Sequence, residues 1–190
     1  MLECEMSFVH LNGVMDVVEG VVKAAAPTKE GMDKEWPRIE YGQAVELLQE
    51  KGESIEWGED IKTDQEKLLC DILDGPVFVT RYPRKNKPFY MRPVEGREDL
   101  VECFDLLVPR LGELAGGSMR EERLDELVQS MDVKGLKKED YEWYLDLRRY
   151  GSVPHGGFGL GWERLIAWVT GAENVRECIG FPRGTEGFKI

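Results

Sequence analysis

The chain has 190 residues and a formal net charge of −12, with 33% charged and 42% hydrophobic residues. That length suits one domain with its own core, and the acidic balance argues against broad nucleic-acid binding through a positive surface field. No run of about eighteen apolar residues is present, which excludes a helical membrane span.

The four cysteines, Cys4, Cys70, Cys103 and Cys178, are far apart in sequence. Neither a zinc-ligand pair nor a redox pair is spaced among them, and reduced thiols of an intracellular protein are the expectation. The N-terminus lacks the basic stretch and apolar run of a signal peptide. The expected location is cytoplasmic, with a mitochondrial or other organellar site left open.

In chain order, Met1 to Val9 alternates as a strand, with Glu3 and Glu5 on one face and Cys4 on the other. Two carboxylates on one strand face repel unless that face is solvated or meets a cation or donor. Val14, Val17, Val18, Val21, Val22 and Ala25 form a helical stripe that stops before Pro27. Ile39 to Tyr41 reads as a short strand, and Ala44 to Leu48 as a helix ended by Gly52. Thr63 with Glu66 has capping-box spacing before a helix through Leu68, Leu69, Ile72 and Leu73.

The texture then turns to strands. Pro76 to Tyr82 is β-rich, Pro83 to Lys87 reads as a turn, and Pro88 to Arg92 as the returning arm of a hairpin. Arg81, Arg84, Lys85, Lys87 and Arg92, interleaved with Tyr82, Phe89 and Tyr90, make this the one basic cluster. It reads as an exposed hairpin or as a nucleic-acid contact. Leu100 to Val108 is a further strand. Short turns between consecutive strands predict an antiparallel sheet flanked by helices, an α+β fold.

Asp105 and Glu113 lie on consecutive strand-like segments. They are either two solvated edge acids or a pair that needs a divalent cation beside a phosphate. Gly116-Gly117 allows a close turn that delivers Arg120 to the start of a helix carrying Leu124, Leu127, Val128 and Met131. An arginine fork there suits a carboxylate or amide oxygen. Asp140 to Tyr150 is a last long helix and Glu173 to Ile179 a short one. His155, between them in a glycine-rich loop, has no nucleophile signature beside it.

Glycines at 157, 159 and 161 alternate with Phe158 and Leu160, so one face of that strand has no side chains. A bare face lets a flat group lie on the backbone, although a tightly packed corner needs the same residues. Trp162, Leu165, Ile166 and Val169 then form a helical stripe, with Glu163 and Arg164 in its first turn. Arg164 there opposes the helix dipole, and a bound polyphosphate would supply a reason for it. The spacing matches neither a Walker P-loop nor a dinucleotide fingerprint.

The run Gly157-Phe158-Gly159-Leu160-Gly161-Trp162-Glu163-Arg164 resembles motif 3 of class II aminoacyl-tRNA synthetases. The surrounding LRRYGSVPHGGFGLGWERLIAWVTGAENVRECIGFPR is similar to the asparaginyl branch of that family. The likeness extends back through GELAGGSMREERLDEL, KEDYEWYLDLRRYG and RYPRKNKPFYMRP to MLECEMSFV.

The resemblance implies the class II catalytic-core fold and ATP-dependent activation of asparagine, followed by transfer to tRNA(Asn). ATP and Mg2+ are the implied cofactors, and a homodimer the implied state of the intact enzyme. By position, Arg164 would lie against the adenine and reach the γ-phosphate, while Gly161, Trp162 and Glu163 shape the nucleotide floor. Glu113, with Asp105, would hold magnesium. Arg120 would bind the side-chain carbonyl of asparagine, and Glu3 would face its amide nitrogen.

Residues 1–190 would form the C-terminal portion of the catalytic domain. The anticodon-binding domain, motif 1 and most of motif 2 are expected to lie outside it, so the fold is incomplete at the N-terminus. With the α-phosphate arginine and adenine-stacking ring missing, the chain alone is expected to make little asparaginyl adenylate. The alternatives are a truncated non-catalytic paralogue, an asparagine synthetase-like amide ligase, or an aspartyl-tRNA synthetase.

Overall fold

The structure, a computed structural model, describes residues 1–184 and 187–188. Its centre is a six-stranded sheet. In chain order the strands are β1 (Leu2–Ser7), β2 (Arg38–Glu40), β3 (Val77–Thr80), β6 (Cys103–Val108), β7 (Gly112–Met119) and β8 (His155–Leu160). Across the sheet the order is β1-β8-β7-β6-β3-β2. A separate small hairpin joins β4 (Pro93–Val94) to β5 (Arg97–Val101).

The expected antiparallel α+β sheet is present, with one parallel pair, β2 with β3, at its edge. The predicted glycine strand is β8. It lies next to the outermost strand, not at the centre, because β1 closes that side. The predicted hairpin from Pro76 to Arg92 does not form. Both hydrogen-bonding edges of β3 are taken, one by β2 and one by β6, and Arg84–Asn86 coils into a 3-10 turn. The expected strand from Leu100 to Val108 breaks at Glu102, whose N–H donates to Arg92 and whose carbonyl accepts from Met119.

Helices cover the two faces unequally. On one face lie α1 (Leu11–Ala25) and α6 (Trp162–Thr170). Their Val14, Val18, Val22, Leu165 and Trp168 pack with Phe78, Phe104, Leu106, Leu114, Phe158 and Leu160 of the strands. On the other face, α2 (Tyr41–Glu50) and α3 (Thr63–Ile72) cover the β3–β6 side through Tyr41, Leu48, Leu69, Val79, Cys103 and Leu107, and α3 also reaches the Gly112–Glu113 end of β7. The expected capping box at Thr63 is shifted by one residue: the Gln65 side chain accepts the Lys62 N–H, leaving Glu66 free for another use.

The helix expected from Arg120 begins later, as α4 (Leu124–Val133), because Arg120 is still extended and bridged to Met91. The predicted helix from Asp140 is a 3-10 turn at Lys138–Tyr141 followed by α5 (Glu142–Arg149). These two helices pack around Phe89 and Tyr90, so the aromatic residues of the basic segment are structural. None of the described helices is long and apolar enough to cross a membrane. The tail after Arg183, without a sequence signal, lies partly outside the described residues.

Candidate functional site

Strand register builds the site. Glu3 pairs with Gly159, Gly159 with Gly116, and Gly116 with Asp105. Directly opposed residues of antiparallel strands share a face. This row therefore carries a carboxylate at each end and two glycines between. The next row runs Glu5, Gly157, Ser118, Cys103. Both rows lie on the α2–α3 face, which those helices leave open at β8, β1 and the middle of β7. The result is a cavity of about 650 Å3 bordered by Glu3, Glu5, Asp105, Glu113, Arg120 and Lys87, with Gly116 and Gly159 in its floor.

Glu113 reaches this face through a bulge. Leu106 pairs with Ala115 but Leu107 with Glu113, so Leu114 is one extra residue. A bulge reverses the alternation locally. Glu113 and Gly116, an odd number apart, consequently face the same way, while Leu114 and Ala115 both enter the core. A Cβ on Gly116 would stand 3.1 Å from Glu113 Oε1 and 3.2 Å from Asp105 Oδ1. The two carboxylates converge on the space a side chain there would fill.

This end of the cavity is crowded with charge. Lys87 Nζ donates to Asp105 Oδ2 at 2.7 Å and lies 3.9 Å from the Tyr82 ring centroid. Burial works to lower the Lys87 pKa, but Asp105 and Cys103 outweigh it and the ammonium is held above its ordinary value. Burial, then Asp105 and Glu66, push Glu113 up. Burial and Asp105 likewise raise Glu66, against the lowering effect of its bond from the Glu113 N–H. Among the described residues no group of three or more acidic, histidine or cysteine side chains is arranged to enclose a metal. Asp105 and Glu113 can supply two hard oxygens to a cation, leaving its other positions to a ligand.

At the other end Arg120 is fixed on several sides. Its Nε and Nη2 donate to the two oxygens of Glu5 at 2.9 and 3.0 Å. Nη1 donates to Ser118 Oγ at 2.6 Å, and the guanidinium lies 5.3 Å from the Tyr90 ring centroid. Three of its five N–H groups are thus used. The pair with Glu5 cancels the charge that a free arginine would offer a carboxylate. The Glu3 side chain, on the same strand face as Glu5, has no hydrogen-bond or ion-pair partner among the described residues.

Gly161, Trp162, Glu163 and Arg164 border the cavity without lining it. Gly161 caps α6, and the Arg164 side chain folds over it. Arg164 Nε donates to the Glu113 carbonyl at 2.6 Å, and Nη2 to the Leu111 carbonyl at 3.3 Å. Arg164 therefore has a structural role, which the argument from the helix dipole did not foresee. Trp162 is half exposed beside it. His155 opens β8, with Nδ1 2.8 Å from the Val153 carbonyl oxygen; it is remote from the acid pair.

The structure thus brings Glu3, Asp105, Glu113 and Arg120 into one cavity and links Arg164 to it through the backbone of Glu113. Sequence reasoning did not assign Glu5, Glu66 or Lys87 to it. The shared face of Glu3 and Glu5 was legible. Lys87 was read as part of an exposed hairpin and Glu66 as a capping residue.

Residues 1–185 match the family model for tRNA synthetases class II (D, K and N). The chain belongs to that family. It is 39% identical to a probable mitochondrial asparagine–tRNA ligase of Dictyostelium discoideum, across 96% of this chain and 46% of the relative. It is 41% identical to an asparagine–tRNA ligase of Microcystis aeruginosa, with the same coverage of 96% and 46%. The crystal structure of asparaginyl-tRNA synthetase from Pyrococcus horikoshii complexed with asparaginyl-adenylate superposes with a TM-score of 0.91 at 38% identity, over 97% of this chain and 47% of that one. The chain spans about half the length of the relatives it matches.

Proposed function

We propose that this class II synthetase chain is the part of an asparagine–tRNA ligase that binds asparagine and the phosphates of ATP, and that the whole protein transfers asparagine to tRNA(Asn) as a homodimer. The observation that carries this reading is the open glycine floor between a carboxylate pair and a charge-neutralised arginine. The sugar and acyl phosphate of an adenylate can lie close on Gly116 and Gly159 without meeting a Cβ. The likeness to proteins named asparagine–tRNA ligases supports the choice of amino acid.

Each border residue then has a task. Arg120, with Glu5 cancelling its charge, donates to the neutral carbonyl oxygen of the asparagine side chain. Glu3 accepts from the amide N–H, where a carboxylate substrate would offer a second anion. Asp105 and Glu113 would hold magnesium, and the donor set fits: two hard oxygens converge on the Gly116 gap, with surplus negative charge around them. When bound, magnesium supplies neutralisation of the pyrophosphate leaving group. Arg164, next to Glu113, would meet the terminal phosphate, with Gly161, Trp162 and Glu163 bordering the nucleotide. Alignment and charge neutralisation do the work of this chemistry, so a covalent nucleophile is not needed. The location of the whole protein is cytoplasmic or organellar.

Calorimetry of this chain with non-hydrolysable asparaginyl- and aspartyl-adenylate analogues tests the reading. The asparaginyl analogue should bind at least tenfold more tightly, a difference of about 1.4 kcal/mol. Arg120→Lys should weaken it by about ten- to a hundredfold, the worth of a hydrogen bond from a charged group, while ATP alone binds unchanged. Equal affinity for the two analogues would contradict the assignment.

A further inference from the structure

The position of Glu113 depends on more than its own strand. At the bulge its side chain has left the regular alternation, and its peptide is held from two directions. The N–H donates to Glu66 Oε2 at 3.1 Å, across 47 residues of sequence. The carbonyl accepts from Arg164 Nε at 2.6 Å. Glu66 belongs to α3, which is anchored by the buried Leu69 and Cys70. Arg164 belongs to α6, anchored by Leu165 and Trp168 on the opposite face of the sheet.

Gly112 completes the arrangement. It turns the chain at a positive φ of 82°, and any Cβ there would collide with the Glu66 carboxylate. The approach of Glu66 thus has space reserved for it. A carboxylate placed near two others is electrostatically unfavourable, so its presence needs a compensating use.

We infer that Glu66 is a positioning residue: by accepting the N–H of Glu113 it fixes the bulge and aims the Glu113 carboxylate at Asp105 across the Gly116 gap. It acts through a hydrogen bond to backbone and has no contact with substrate. The inference rests on the reading of Asp105 and Glu113 as cation ligands only for its consequence; the positioning itself is independent of that reading. Partners that orient a metal-binding group typically matter by tenfold or more in metal affinity.

Two variants separate the hydrogen bond from the charge. Glu66→Gln keeps an oxygen acceptor and Glu66→Ala removes it. The first readout is the Glu113 amide proton by NMR. It should be downfield and slow to exchange in the wild type and in Glu66→Gln, and upfield and fast in Glu66→Ala. The second is Mn2+ binding to the chain, followed by water-proton relaxation. Glu66→Ala should weaken it by about tenfold, and Glu66→Gln should restore most of that loss.

An unchanged Glu113 amide in Glu66→Ala overturns the inference whatever the metal does. So does a Glu66→Gln variant that keeps the amide bond but binds Mn2+ as poorly as Glu66→Ala, because charge and not position would then be the cause. Wild-type protein that fails to bind Mn2+ at all would refute the cation-site reading instead, and the amide comparison would still decide the role of Glu66.

Discussion

The two halves of one sheet face are built to opposite rules. Where β3 and β6 meet α2 and α3, the positions carry Val79, Cys103 and Leu107, all buried. On the next two strands, β7 and β8, the positions of the same face carry Gly116, Ser118, Gly157 and Gly159, with Glu3, Glu5 and Glu113 at the borders. The first half gains stability by removing apolar area from water. The second gives up that gain and keeps like charges close together. A sheet does not leave such a floor bare for its own stability; the cost is understandable if a ligand covers it.

This contrast can be tested first where it is largest. Leu107 is fully buried in the cluster that α2 and α3 form with β3 and β6. Leu107→Ala should cost about 2–5 kcal/mol in urea unfolding, as large-to-small changes in packed cores do. A loss below about 1 kcal/mol would show that the covered face is not the source of stability.

A smaller and opposite effect is expected at the acid end. Burial and the neighbouring acids raise the folded pKa of Glu113. A carboxylate raised on folding binds its proton more tightly in the folded state, so ionising it costs stability as pH rises through the folded value. Glu113→Gln should therefore stabilise the protein at neutral pH, by less than about 1 kcal/mol because the group is partly solvated. The gain should shrink as pH falls through the raised pKa and vanish below the ordinary carboxylate value near ~4.3. Unfolding midpoints between neutral and acid pH measure it. Destabilisation by Glu113→Gln would mean the carboxylate is held by favourable contacts and not under strain.

The sequence revealed the β8 part of the glycine floor because a period of two is visible in the five residues Gly157 to Gly161; Gly116 reads as part of a turn. It also placed Glu3 and Glu5 on one face and found the buried Val14, Val18 and Val22 of α1 and Leu165 of α6, although Val17 and Trp162 of the expected stripes are exposed and Met15 and Trp168 are buried instead. The bulge was not visible. Glu113 and Gly116 are three apart, and nothing local shows that Leu114 is extra until its pairing with β6 is known. Glu66 was hidden for a related reason. Its helix-start position offered a local explanation, whereas its partner is 47 residues away. The hairpin was misread because strand propensity in Val77 to Thr80 does not tell which neighbours will pair with it. Pairing is decided by long-range packing, and the basic segment that follows is instead folded under α4 and α5.

The central claim is that a ligand lies directly on the β8 backbone. Gly159→Val tests it most directly. A Cβ at Gly159 would meet only the flexible end of Met1, and valine favours strands, so unfolding should shift by less than about 1 kcal/mol. Binding of the asparaginyl-adenylate analogue, measured by calorimetry on the same protein, should fall by at least tenfold, or about 1.4 kcal/mol. A stable Gly159→Val variant that binds the analogue as well as the wild type would place the ligand elsewhere and contradict the account.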